Sequence, residues 1–201
     1  MSYQASKTLP FRVEFIRQLR RRRTAVAFLL MLLLPLIVVS AIKFGSDESS
    51  SDAGGFAQGG LNLIDLATSG AMNFTVVMIF FASGFLLTTV FALFAGDTVA
   101  SEASWASLRY LLAAPVPRRR LLAIKLSVAM TLNLLALAAL MLFSYGLGLL
   151  AFGNGSLVSP VGGTFQGTQA IWRLLVIAGY VYLTLLFVSG IAFYMSVRTD
   201  V

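Results

Sequence analysis

The side chains able to do chemistry are few, and most lie in one stretch. Asp97 to Lys125 holds two acids, five basic residues, a tryptophan, a tyrosine and two prolines, with long apolar runs on either side. Two separated acids and a set of arginines do not make the paired carboxylates of acid–base catalysis. They suit ionic and aromatic contact with another macromolecule. Elsewhere the chain lacks the usual reactive groups. It has no histidine, the commonest metal ligand and general base, and no cysteine, so no thiolate nucleophile or disulfide framework. No Gly-Lys-Ser/Thr follows its glycine-rich segments, so it has no Walker A loop of its own. The expectation is a protein that is not an enzyme and binds no cofactor or metal itself.

Composition explains what surrounds the polar stretch. Of 201 residues, 58% are hydrophobic and only 11% charged, against about 25% in a typical soluble domain. Mean hydropathy is +0.87. That balance indicates an all-α integral membrane protein. The net charge of +7 could suggest nucleic acid in a soluble chain. In a membrane protein it bears on topology instead, and no nucleic-acid partner is expected.

Four spans are expected, at about 25–42, 73–95, 126–152 and 171–197. Each is long enough for a hydrocarbon core of about 30 Å at 1.5 Å per residue. Pro35 should kink the first. That run is too long and too far from the start for a secretory signal. Ala82-Ser83-Gly84 offers the second a small-residue packing patch. The span interiors carry no Asp, Glu, Lys or Arg except Arg173 at the outer edge of the fourth. Ion-coupled carriers usually need such groups at depth, so coupling to an ion gradient is disfavoured. Asn133, the strongest polar residue at depth, reads as an interhelical hydrogen-bonding group before it reads as a substrate ligand.

Residues 1–23 form a cytoplasmic lead and an amphipathic connecting helix, and 24–201 the transmembrane domain. In that helix Phe11, Phe15, Ile16 and Leu19 share one stripe, Arg12, Arg17, Gln18 and Arg20 lie off it, and Pro10 suits its first position. Such a helix lies in the membrane interface, with Arg20, Arg21, Arg22 and Arg23 among anionic headgroups. A solvated basic tail is the plainer alternative. Of fifteen Lys and Arg, thirteen precede span one, lie between spans two and three, or follow span four. The positive-inside rule then puts both termini and the polar stretch in the cytoplasm. The segment between spans one and two has a linker composition, followed by Leu61, Leu63, Ile64, Leu66 and Ala67, enough for a short helix. Residues 153–170 are a second outer, glycine-rich loop.

The cytoplasmic loop, 96–125, divides at its prolines. Ser101 to Leu112 is helix-permissive, with Trp105, Leu108, Leu111 and Leu112 on one face and Glu102 and Arg109 on one side. Pro115-Val116-Pro117 is a stiff elbow, and Arg118, Arg119 and Arg120 anchor the next span at the headgroups. Two readings stay open on these residues alone: an interfacial helix with snorkelling arginines, and a rigid docking element between two spans.

The loop resembles one known family. Asp97, Glu102, Leu108-Arg109-Tyr110-Leu111-Leu112-Ala113, Pro115-Val116, Arg118, Leu121-Leu122 and Lys125 look like the first cytoplasmic loop of ABC-2 type transporter permeases. The likeness is closest to permeases of bacterial multi-copper-enzyme-maturation and drug-efflux systems. Trp105-Ala106-Ser107 departs from the Gly-Thr many members carry there. The helix Phe11 to Arg23 matches that family's connecting helix. The resemblance implies a permease of an ATP-driven exporter in a bacterial plasma membrane. Its loop would be a coupling helix on a separate ATP-binding cassette ATPase, which holds the ATP and Mg. A second permease copy or a homologous permease would complete the transporter, among membrane lipids. The implied ATPase-contact residues are Glu102, Trp105, Ser107, Leu108, Arg109 and Tyr110, with Pro115 as elbow. The family fold has six spans where this chain shows four, so the last two are expected to be missing. A membrane anchor or assembly factor that recruits a cytoplasmic protein through the same loop is the alternative function.

Overall fold

The structure is a computed structural model that describes residues 11–44, 63–104, 118–159 and 162–198. Among the described residues seven helices and one small hairpin follow in order: α1 (Phe11–Leu19), α2 (Arg22–Phe44), α3 (Leu63–Thr68), α4 (Ala71–Gly84), α5 (Leu86–Ser104), α6 (Arg118–Phe152), β1 (Leu157–Val158), β2 (Thr164–Phe165) and α7 (Thr168–Arg198). The protein is an all-α integral membrane protein. Helices α2, α6 and α7 are long and apolar enough to cross a bilayer, and α4 with α5 makes a fourth crossing if the pair is one span.

Three features refine the expected elements. First, the second span is not one helix. α4 stops at Gly84, Phe85 leaves helical geometry at φ −134° and ψ −57°, and α5 begins at Leu86. The small patch that suggested close packing marks a helix end. A Cβ on Gly84 would meet nothing within 4 Å, and Ser83 Oγ turns back to the Phe80 carbonyl at 2.7 Å. Glycine weakens a helix interior, so the break falls where propensity is lowest. Second, α5 runs on to Ser104 and α6 starts at Arg118. No proline interrupts 96–104 or 118–125 and both are rich in helix formers, so helix continues into the polar stretch from each side. Third, the glycine-rich loop holds an antiparallel hairpin, with Leu157 opposite Phe165 and Val158 opposite Thr164. α2 continues as helix on both sides of Pro35.

The chain forms two compact units. One holds residues 1–27, 86–136 and 182–201. In it, Leu87, Val90, Phe91, Phe94 and Ala95 of α5 are buried at 3 and 4 spacing. So are Val128, Ala129, Leu132 and Ala136 of α6, with Leu185 of α7. That spacing puts each set on one helix face. Phe91 meets Tyr182 edge-on at 5.9 Å, and the Tyr182 hydroxyl donates to the Met130 carbonyl at 3.1 Å. Such a bond removes a phenol's desolvation penalty in an apolar setting.

The other unit holds residues 28–85 and 137–181. Its centre is α4, buried from Ala71 to Ile79 except for Val76. Phe74, Val77 and Met78 pack with Ala67, Leu34, Val38, Leu66 and Phe152. A second cluster joins Met72, Leu157 and Ala170 with Val76, Tyr145 and Phe165. The hairpin thus has a hydrophobic reason to form, because Leu157 and Phe165 cover Met72. Arg173 lies 3.5 Å over the Phe165 ring, a cation–π contact that adds to the same cover.

Candidate functional site: a polar clamp at the stem of the loop

The two helices that carry the polar loop are α5, entering it, and α6, leaving it. Through charged side chains, α6 meets α1 and α5 meets the residues just after α1. Glu14 of α1 is 3% exposed and Lys125 of α6 only 1%. Their charged atoms, Oε1 and Nζ, are 3.6 Å apart. Lys125 Nζ also donates to the Thr98 carbonyl of α5 at 3.1 Å. One ammonium therefore joins three helices. Glu14 Oε1 accepts from Arg17 Nη2 at 2.9 Å and from Gln18 Nε2 at 3.1 Å, one turn along α1. A buried carboxylate needs several donors to offset its lost hydration, and Glu14 has them.

A second contact closes the clamp. Asp97 of α5 accepts from Arg21 Nη1 at 2.9 Å and pairs with Arg23, both at the junction of α1 and α2. The junction is itself fixed. Thr24 Oγ1 donates to the Gln18 carbonyl at 2.7 Å, and the backbone N–H groups of Thr24 and Ala25 bond back to Arg21. The buried Thr98 hydroxyl donates to the Ala95 carbonyl at 2.8 Å, one turn back along α5.

The arginine cluster is divided by this geometry. Arg21 and Arg23 reach Asp97, whereas Arg20 and Arg22 are exposed. Arg119 is exposed and Arg120 half-buried in the first turn of α6, where Arg118 begins the helix. Glu102 lies on α5 beyond Asp97. Trp105, Ser107, Leu108, Arg109, Tyr110 and Pro115, expected to contact an ATPase, lie outside the described residues.

Two residues of the clamp escape a reading of the sequence. Glu14 is one acid in a basic, amphipathic segment. The signal that could have found it is its position, with Arg17 and Gln18 at i+3 and i+4 and off the apolar stripe. Lys125 is visible in the loop pattern, but its burial depends on which helices meet. Deeper in the same unit, Asn133 Nδ2 donates to Ser189 Oγ at 2.9 Å, linking α6 to α7. The Ser189 hydroxyl lies 3.3 Å from the Leu185 carbonyl and 3.4 Å from the Phe91 carbonyl of α5. Asn133 is the helix-bridging group its type suggested, though its Oδ1 is left without a partner. Among the described residues no group of three or more acidic side chains could hold a metal ion.

The fold defines a multi-pass helical membrane protein, and the sequence assigns its family. The sequence model of the ABC-2 family transporter proteins matches residues 11–199, nearly the whole chain, and the protein belongs to that family. It is thus a permease component of an ABC transporter, a role that implies association with an ATP-binding cassette ATPase. No curated protein and no solved structure matches the chain.

Proposed function

We propose that this permease serves an ATP-driven exporter in a bacterial plasma membrane, with both termini and the 96–125 loop in the cytoplasm. A separate ATPase subunit, holding ATP and Mg, docks on the loop through Glu102, Trp105, Ser107, Leu108, Arg109 and Tyr110. Pro115 is the elbow, and a second permease copy or homologous permease completes the path. The observation that supports this reading is the clamp. Lys125 ties α6 to Glu14 of α1 and to the Thr98 carbonyl of α5, so both ends of the loop share one stiff base. A push on a loop with a soft base would be absorbed locally. On a braced stem it moves α5 and α6 together and biases the access equilibrium of the spans.

The test is Arg109→Glu in the chain reconstituted with its ATPase in vesicles. Docking through this face predicts loss of substrate-stimulated ATP hydrolysis and of transport, with membrane insertion unchanged. Coupling that persists at the native level would overturn the docking assignment. Loss of the partner with normal insertion, rescued by a charge-reversed ATPase, would place Arg109 in the interface directly.

A further inference from the structure

α1 is amphipathic the wrong way round for a helix packed on protein. Its inward face is polar, with Glu14 and Gln18 buried. Its apolar residues point out: Phe11 is 41% exposed, Val13 60%, Ile16 40% and Leu19 42%. Arg12 and Arg20 do not lie off the apolar stripe as expected: at 100° per residue they flank Ile16 on that outward face, and both are exposed, as is Arg22 at the start of α2. At nine residues, α1 is far too short to span a bilayer. Large apolar side chains interleaved with arginines, on a helix lying against a membrane protein, match one surface: acyl chains beneath anionic phosphates.

We propose that α1 is an anionic-phospholipid sensor wired to the stem of the loop. Headgroup phosphates engage Arg12, Arg20 and Arg22, and the acyl region takes Val13, Ile16 and Leu19. The opposite face of the same two-turn helix carries Glu14, which holds Lys125 and through it the Thr98 carbonyl. Arg21 and Arg23, next to the lipid-facing arginines, hold Asp97. Lipid contact and clamp contact are thus set by one rigid body. A bilayer rich in acidic lipid seats α1 and favours the closed clamp. A neutral bilayer lets α1 rise and loosens both helix ends. This inference deepens the proposed coupling role of the loop, but its first test needs no ATPase, so the two can fail separately.

That test is hydrogen exchange on the whole chain in nanodiscs of phosphatidylcholine, with or without about a third phosphatidylglycerol. Three arginines near an anionic surface predict α1 amides slowed by about a hundredfold in acidic discs. The stem, residues 95–98 and 119–125, should slow with them. High salt and the triple change R12Q/R20Q/R22Q should erase both effects. Glu14→Gln should keep the slowing of α1 and lose it at the stem. Should that variant fail to insert, Lys125→Met tests the same link from α6. Exchange of α1 that is indifferent to acidic lipid overturns the proposal. So does protection that survives the triple change, which would mean that a second copy or another protein covers α1.

Discussion

Each of the two compact units is held internally by its own kind of polar contact, and the two kinds are opposite. In the unit containing α1 and the ends of α5 and α6, the decisive contacts are charged: Glu14 with Lys125, and Asp97 with Arg21 and Arg23. In the unit containing α4 and the hairpin, they are neutral and close. Asn73, 1% exposed, donates to Ser69 Oγ at 2.7 Å and to the Ser156 carbonyl at 2.9 Å, and accepts from the Val158 N–H at 2.9 Å. Beside it the Ala71 N–H donates to the Gly153 carbonyl at 3.1 Å, and Gly70 touches Gly155 backbone to backbone. Charged contacts are long-ranged, tolerate small displacements and respond to surface potential. An amide with three short bonds and a glycine–glycine contact tolerates little movement. The first unit's polar contacts tolerate displacement, and the second unit's do not.

The comparison can be broken hardest at Lys125. Lys125→Ala leaves the buried Glu14 carboxylate with Arg17 still beside it and strips the Thr98 carbonyl of its ammonium, so the loss should approach, without reaching, the about 3–5 kcal/mol of a buried charge left wholly unpaired. Denaturant unfolding in detergent micelles should show the loss. The double change Glu14→Leu with Lys125→Met should recover most of it, because a buried ion pair and an apolar pair are nearly equivalent in stability. A double variant as unstable as the single one would mean that the Thr98 contact, not the ion pair, carries the clamp.

Asn73→Leu strikes the other unit. It strands the Val158 N–H and the Ser156 carbonyl, at about 1–3 kcal/mol per unpaired buried group. Faster hydrogen exchange is expected at 153–159 while α1 and α6 residues 119–125 are unaffected. Acceleration at both places would show that the two chemistries are not separable. Gly155→Ala sharpens the same point. Its Cβ would run into the Ser69 carbonyl and sit 2.9 Å from Gly70 Cα. Overpacking of that kind costs about 1–3 kcal/mol, read as a lower thermal midpoint. Gly146→Ala, inside α6 where a Cβ meets nothing within 4 Å, is the control and should be neutral or raise the midpoint slightly.

The smallest effect is expected at Asn133→Leu. Interhelical hydrogen bonds in membranes contribute about 0.6 kcal/mol on average, and Asn133 already carries an unpaired Oδ1. A change within about 1 kcal/mol in the same unfolding assay would leave it a minor bridge. A loss of several would raise it to the rank of Lys125.

Sequence by itself determined the membrane class, the positions of the crossing helices and the isolation of one polar loop. Those properties follow from composition and from periods of three and four residues, which are local. It also carried the family, through the loop motif from Asp97 to Lys125. It placed Asn133 as a bridge, because an amide at that depth has few other uses. Only the tertiary structure decided which way α1 faces. Periodicity shows that a helix has two faces but not which neighbour each will meet. It decided that Lys125 finds Glu14 and that Asp97 takes Arg21 and Arg23 from a run of four arginines. Those pairings join residues remote in sequence through the register of three helices. It decided that Asn73 fastens the hairpin, and that the second crossing breaks at Phe85. Gly84 lowers the local helix propensity, but a glycine is tolerated inside many helices, and whether the chain breaks at one depends on packing that the sequence does not record.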